Sequence, residues 1–372
     1  MKQEVFMNLK IIFTLTVLIA AVSCTSKPGS VPPGPVTEKK AYVFSQTELQ
    51  KPAPVKGRDY TAYNADHTDG PVIPGLYEGA VPQGMAYDSE KEIMFISNYM
   101  FNGKPSSLSV LSTKTGNFIK VLWLYNPDGT PHTGHVGGLA ASRTHLWVAS
   151  GKGVYRISLS SLYTAQNGDH IKMASFIPTA AKGSFASYAS GILWVGEFTS
   201  KDGSYTTPDS HHLKTPSGEI NHAWMAGYLL DKNTDLIQSK KKAGGKVYPD
   251  YIISIPDDVQ GAAFSKGILI LSLSYGRRNK SRLVSFKNPL KTGTKDHFKL
   301  PDGTEIPLAV LDNPQQMYTL TAPPMTEGIS VYKDSLAVVF ESGSDKYRST
   351  ALFPQGRIQF IPLGNFRQQK KN

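Results

Sequence analysis

Between residues 83 and 361 of the 372-residue chain, hydrophobic and polar positions recur in a five-fold pattern. Each copy opens on a small residue, often Gly, followed by a short apolar stretch. A turn comes next, then a β-prone run that ends in polar residues, then a third apolar strand. The copies occupy residues 83–86, 93–98 and 107–111; 137–140, 146–150 and 153–157; 184–187, 192–197 and 223–228; 260–263, 268–272 and 282–286; and 327–330, 336–341 and 357–361. Copy starts lie roughly 50 to 75 residues apart, near the period of a propeller blade with loops added. Segments just before the next copy, such as 174–177 and 251–255, supply a fourth strand.

This pattern predicts an all-β chain folded as a five-bladed β-propeller, each blade a four-stranded antiparallel sheet around a central channel. The Gly at the start of the innermost strand has a physical reason, because blades crowd at the axis and a residue without Cβ lets backbones approach. The apolar second strand fits a position covered on both faces. A six-bladed ring is the alternative if 199–222 or 287–320 hides another blade. A β-sandwich would require the five-fold spacing to be coincidence. A strand near 42–44 or 60–63 is expected to pair with the last blade and close the ring.

Composition agrees: 33 Gly, 25 Pro and 10% aromatic residues suit many short strands and turns. The front of the chain is different. Lys2 and Lys10 precede and flank an apolar run over 11–21, shorter than the ~20 residues that span a bilayer. Small residues then lead to Cys24, the single cysteine of the chain. Residues 27–36 hold four prolines, and the stretch to about 58 is too polar to bury a core. The expected organisation is a signal peptide over 1–23, a tether over 24–58, the propeller over 59–366 and a basic tail over 367–372.

The net charge is +11, and removing the leader with its two Lys and one Glu leaves about +10. The cations are scattered, the densest groups being 240–242, 277–280 and the tail. No nucleic-acid motif is present, so nucleic acid is not an expected partner. A lone cysteine excludes an internal disulfide.

Candidate chemistry gathers where inner strands begin and second strands end. Gln83, Gln260 and Glu327 hold equivalent repeat positions, each just before a Gly, and His135 lies at the second copy's start. Asn98, Tyr99, Glu197, Ser274, Tyr275, Arg277, Glu341 and Ser342 follow second strands. Rotation about the axis should bring these groups to one mouth of the channel. Such a ring suits a cation with oxygen ligands or a polar ligand. Expected ligand contacts are Gln83, Asn98, His135, Gln260, Tyr275, Arg277, Glu327 and Glu341. Glu327, Glu197 and His135 are the candidate catalytic groups, and Glu327, Glu197 and Asn98 the candidate metal ligands, with calcium as the expected ion. A buried Glu327 would need a cation, an Arg such as Arg277, or a proton as its partner. Residues 341–348 form the partly acidic counterpart of the cationic loop 274–282. His211, His212, Glu219 and His222 match no metal template and read as a surface loop.

The stretch Ala21-Val22-Ser23-Cys24 resembles a bacterial lipobox, with Ala21 where Leu is usual. That resemblance implies lipidation at Cys24 and an outer-membrane anchor, the domain facing the periplasm or the cell surface. The repeat resembles the broad YVTN/quinoprotein-like and gluconolactonase-like propeller groups. It implies either a funnel that binds a small polar molecule, ion or peptide, or an enzyme. In gluconolactonase-like enzymes a central divalent metal is held by acidic and amide groups, and in five-bladed glutaminyl cyclases a buried glutamate acts. Glu327, Glu197 and Asn98 would be the candidates under either enzyme reading.

Overall fold

A computed structural model describes residues 43–50, 54–239, 242–292, 296–300 and 302–368. The expected signal peptide, Cys24 and most of the tether lie outside these residues, as do 369–372 of the tail. The strands assemble as five blades around an axis. Blade 1 runs outward through Ala80–Asp88, Ile93–Met100, Ser107–Ser112 and Phe118–Tyr125. Blade 2 is Leu139–Ala141, His145–Ser150, Gly153–Ser158 and Ser175–Pro178. Blade 3 is Phe185–Ala189, Ile192–Gly196, Ala223–Leu229 and Tyr251–Ile255. Blade 4 is Val259–Ser265, Ile268–Leu273, Ser281–Lys287 and Gln316–Ala322. Blade 5 is Thr326–Tyr332, Ser335–Phe340, Arg357–Pro362 and, as its outermost strand, Thr68–Val72.

The ring therefore closes by an N-terminal strand, but not where the sequence placed it. Thr68 pairs with Phe360 and Asp69 with Gln359. Residues 60–63 are helical instead: Thr61–Asp66 forms one short helix with Tyr63 buried. The sixth blade is also absent among the described residues. Residues 213–221 give only a two-stranded hairpin, and Asp296–Lys299 with Glu305–Val310 extend the outer edge of blade 3. The expected tether also ends earlier than residue 58. Phe44 and Leu49 are buried against the propeller, Phe44 edge-on to Trp123.

The period-two alternation of each second strand fills two interfaces at once. Leu269 and Leu271 join the cluster with Trp194 and Ile253 of blade 3, whereas Ile268 and Ile270 join Leu336 and Val338 of blade 5. Phe95 faces Leu146 and Val148 of blade 2, and Met94 and Ile96 face Ala337 and Val339 of blade 5. Trp147 meets Leu193 and Val195 between blades 2 and 3. An uninterrupted apolar run is the sequence consequence of burial on both faces.

At the axis, glycines set the spacing. A Cβ on Gly84 would stand 2.4 Å from Gly138 Cα, and one on Gly138 would stand 2.4 Å from Ala186 N. A Cβ on Gly328 would stand 2.6 Å from Gly84 Cα. Inner strands touch backbone to backbone, as the repeat implies.

Candidate functional site

Three inner strands carry the same local device. The ladder between first and second strands skips register at Gln83 in blade 1, at Gln260 in blade 4, and at Glu327-Gly328 in blade 5. A bulge leaves its extra residue unpaired and re-aims the side chain, so the three equivalent positions of the repeat are also equivalent in backbone form. Hydroxyls replace the missing ladder bonds. Gly84 N donates to Ser97 Oγ (3.0 Å), which donates to Gly137 O (2.6 Å). Thr326 N donates to Ser281 Oγ (3.3 Å), and Ser281 Oγ to Ser274 Oγ (2.9 Å). Serine at these strand ends thus locks one blade's entry to its neighbour.

The bulge in blade 5 buries Glu327, which is 4% exposed. Its carboxyl bonds that of Glu341, the residue that follows the second strand of the same blade. Gln83 Nε2 donates to Glu341 Oε2 (3.2 Å) and to its own neighbour's carbonyl, Pro82 O (2.9 Å). Two carboxyls in contact away from water cannot both stay ionised. Burial, with Glu341 beside it, pushes Glu327 well above the usual carboxyl range. Burial pushes Glu341 up to about 7, opposed by the bond from Gln83 and the Lys346 ammonium. Glu327 accordingly carries the shared proton and donates it toward Glu341.

An aromatic and cationic rim surrounds this pair. Tyr99, buried, stacks on the His135 ring (centroids 4.0 Å apart, 24° between planes). Lys346 Nζ donates to Tyr99 Oη (2.7 Å) and lies 4.9 Å from the centroids of both Tyr99 and Tyr347. The two tyrosine hydroxyls bond each other at 3.1 Å. Burial, then the bond to Tyr347, raises the Tyr99 phenol far above its ordinary value, so it remains a donor. Loss of solvent around its ring and the Lys346 charge hold His135 below the usual imidazole value. Arg277 lies 5.0 Å from the Tyr347 ring centroid and donates to Thr350 Oγ1 (3.1 Å). It braces the loop and does not pair with Glu327.

Gln83, His135, Arg277, Glu327 and Glu341 thus surround one mouth, with Gln260 half-buried in the matching bulge of blade 4. The remaining candidates have other partners. Asn98 is fully buried in blade 1, donating to Ser109 Oγ (3.0 Å), with long contacts to Ser107 Oγ and Ile96 O (both 3.4 Å). Glu197 accepts from Lys182 N (3.1 Å), Trp224 N (3.1 Å) and His211 Nδ1 (2.8 Å). Tyr275 turns toward the blade 3 insertion and donates to Asp202 Oδ2 (3.0 Å). Glu327, Glu197 and Asn98 lie in separate networks, with Asn98 Oδ1 buried and without a hydrogen-bond partner, and do not assemble as one ligand set. Among the described residues no group of three or more His, Cys, Asp or Glu is poised for a metal.

Two features escaped the sequence. Lys346 and Tyr347 sit in the loop read there only as an acidic counterpart; its turns, with Tyr347 N and Arg348 N both bonded to Ser344 O, bring them inward. The histidines of the insertion are not all surface groups. His211 is buried, lies flat on Trp224 (3.7 Å, 10°) and pairs with Glu197. His222 Nδ1 lies 3.0 Å from Asp257.

Further along the inner strands lies an open cleft of about 120 Å³ lined by residues such as Met85, Leu139, Ala186, Ala262 and Ile329. That is room for a few waters.

A closed ring of five blades, each built on four antiparallel strands, with a further strand on the edge of blade 1 and two on that of blade 3, defines the molecule as a β-propeller. No known protein family and no curated protein matches the chain. Among solved structures it is similar to the glutaminyl cyclase of Myxococcus xanthus, at 11% identity over 80% of this chain and 92% of that one (TM-score 0.35). It is also similar to a putative oxidoreductase (glucose dehydrogenase) of Thermus thermophilus, at 11% identity over 79% and 99% (TM-score 0.39). A luciferin-regenerating enzyme aligns at 10% identity over 78% and 95% (TM-score 0.37). The propeller assignment rests on the chain's own strand order.

Proposed function

We propose that the chain is a cell-envelope lipoprotein, anchored through Cys24 in the outer membrane and facing the periplasm or the surface, whose funnel binds a small polar ligand over the Glu327–Glu341 pair. The supporting observation is the buried carboxyl pair at the axis. It offers a neutral donor and an acceptor side by side, and Gln83, His135 and Lys346 surround it with further polar groups. Convergent polar groups that fix a ligand's orientation are what a small-molecule site needs. The test is thermal stabilisation of the mature protein by defined probes: sugars, amines, dicarboxylates and calcium. A stabilising probe should lose its effect in both Glu327→Gln and Glu341→Gln. Stabilisation that survives both substitutions would contradict the reading, and calcium-dependent stability lost with a chelator would replace the proton by a metal. For the anchor, Cys24→Ala should release the protein from the membrane fraction; unchanged membrane association and gel mobility would refute it.

A second reading is an enzyme with Glu327 as general acid and Glu341 as base. It is favoured by Glu341's proton affinity near neutrality, where an acid–base group works best. Turnover of a stabilising probe by the wild type and not by Glu341→Gln would establish it.

A further inference from the structure

Away from the carboxyl pair, a crevice of about 320 Å³ opens between blades 3 and 4, its charged and aromatic lining being Lys201, Asp202, Asp258, Tyr275, Lys280 and Arg282, of which Lys280 pairs with Asp59 and Asp202 accepts from Tyr275. Asp258 is held there at both ends of its backbone. Its N–H donates to Thr199 O (2.8 Å) and its carbonyl accepts from Ser274 N (2.7 Å). Its φ of 68° lies in the left-handed region, which side-chain-bearing residues rarely occupy and which persists where the surroundings enforce it. Those two backbone bonds keep a carboxylate at the crevice wall, where its nearest donor is a long contact from Lys201 N (3.4 Å). Burial pushes that carboxyl above its ordinary range, the behaviour of an acid lacking a cation at bonding distance.

Across the same crevice, Arg282 is half-buried on the third strand of blade 4. Among the described residues neither Arg282 nor Lys201 forms an ion pair within 4.0 Å. Opposite charges that share a cavity without bonding each other leave room for a molecule between them. An anion alone would face Asp258, and a cation alone would face Arg282 and Lys201. A molecule with both charges a few bonds apart satisfies both walls. Of the nearby aromatic rings, Tyr275 lines the crevice. Tyr275 adjoins Phe198 and Tyr205, with centroids 6.1 and 6.3 Å away, and Tyr205 is 56% exposed. The bond from Tyr275 Oη to Asp202 fixes the angle of that ring.

We propose that this crevice is a second ligand site, for a zwitterionic α-amino acid with an apolar side chain. Asp258 takes the ammonium, Arg282 and Lys201 take the carboxylate, and the Phe198–Tyr205–Tyr275 rings take the side chain. The site is independent of the funnel.

Calorimetric titration of the mature protein with L-leucine, L-leucinamide and N-acetyl-L-leucine tests it. Leucine should bind, and each blocked analogue should bind about tenfold more weakly or worse, the equivalent of one lost charge-assisted contact. Asp258→Asn, which tolerates the left-handed backbone, should weaken leucine about tenfold and leave N-acetyl-leucine unchanged. Arg282→Gln should weaken leucine and leave leucinamide unchanged. Glu327→Gln should change none of these values. Absence of leucine binding, equal binding of all three probes, or indifference to Asp258→Asn would overturn the proposal. Loss of leucine binding in Glu327→Gln would also overturn it, because the ligand would then lie in the funnel, whose own reading would stand.

Discussion

Glu327 owes its properties to position more than to chemistry. A bulge turns it toward the axis, burial removes its water, and Glu341 supplies a negative neighbour. Because the proton on Glu327 is a donor to Glu341, an amide can take its place. Glu327→Gln should therefore cost less than about 1 kcal/mol in denaturant unfolding, whereas Glu327→Ala should cost about 2 kcal/mol or more through a cavity and a stranded partner. A loss of several kcal/mol in Glu327→Gln would mean that an ionised Glu327 is paired with a cation. The pair also links stability to pH. Both carboxyls bind protons more tightly in the folded chain than in the unfolded one. Their contribution is thus fully present below the unfolded value of about 4.5, and is lost as pH rises through about 7 for Glu341. Between about pH 5 and about pH 7.5 the wild type should lose stability relative to Glu341→Gln, with a slope of at most about 1.4 kcal/mol per pH unit per proton. Parallel pH profiles would contradict this. Glu327, Glu341 and Gln83 could be singled out in the sequence because the repeat aligned them. Lys346 could not, since its approach to Tyr99 depends on turns closed by Ser344 that carry no periodic signal.

Among the elements, the inner strands are the most constrained. Gly84→Ala would drive a methyl into Gly138 and should destabilise by roughly 3 kcal/mol or more, beyond the usual range for overpacking because both sides are backbone. Gly364→Ala, in open space with φ −56°, should change stability by less than about 0.5 kcal/mol and serves as the control. The same thermal-melt comparison checks both. The blade 3 insertion hangs on Glu197. Glu197→Ala leaves the His211 ring and the N–H groups of Lys182 and Trp224 without their acceptor, which should cost about 3 kcal/mol or more and shift Trp224 fluorescence. Unchanged fluorescence and melting would show that the insertion is held elsewhere. The strands themselves were legible because burial on both faces leaves an apolar run, as in residues 268–271. The insertions were not: residues 199–222 and 287–320 mix short hairpins with loops, so their length alone left room for a sixth blade.

For the whole molecule, closure decides cooperativity. Blade 5 gets its outer strand from Thr68–Val72, roughly 290 residues away in sequence from its partner strand. Removing residues up to 72 should leave three strands there, lower the melting temperature by several degrees and expose blade 5 to protease first. Removal up to 42 should do neither. Closure by an N-terminal strand was expected from the repeat, yet its position was missed. Thr68-Asp69-Gly70-Pro71-Val72 carries little β propensity, and its place is fixed by the partner strand and by the close fit of Gly70 against Phe360.

Two buried carboxyls at the propeller axis share a proton near neutrality. Carbon-13 NMR titration of glutamate side-chain carboxyls, with Glu327→Gln and Glu341→Gln for assignment, measures it directly. One carboxyl should titrate with a midpoint of about 7 and another should stay protonated above it, each perturbed when the other is replaced. Two carboxyls that both ionise near 4.5, independently of each other, would contradict it.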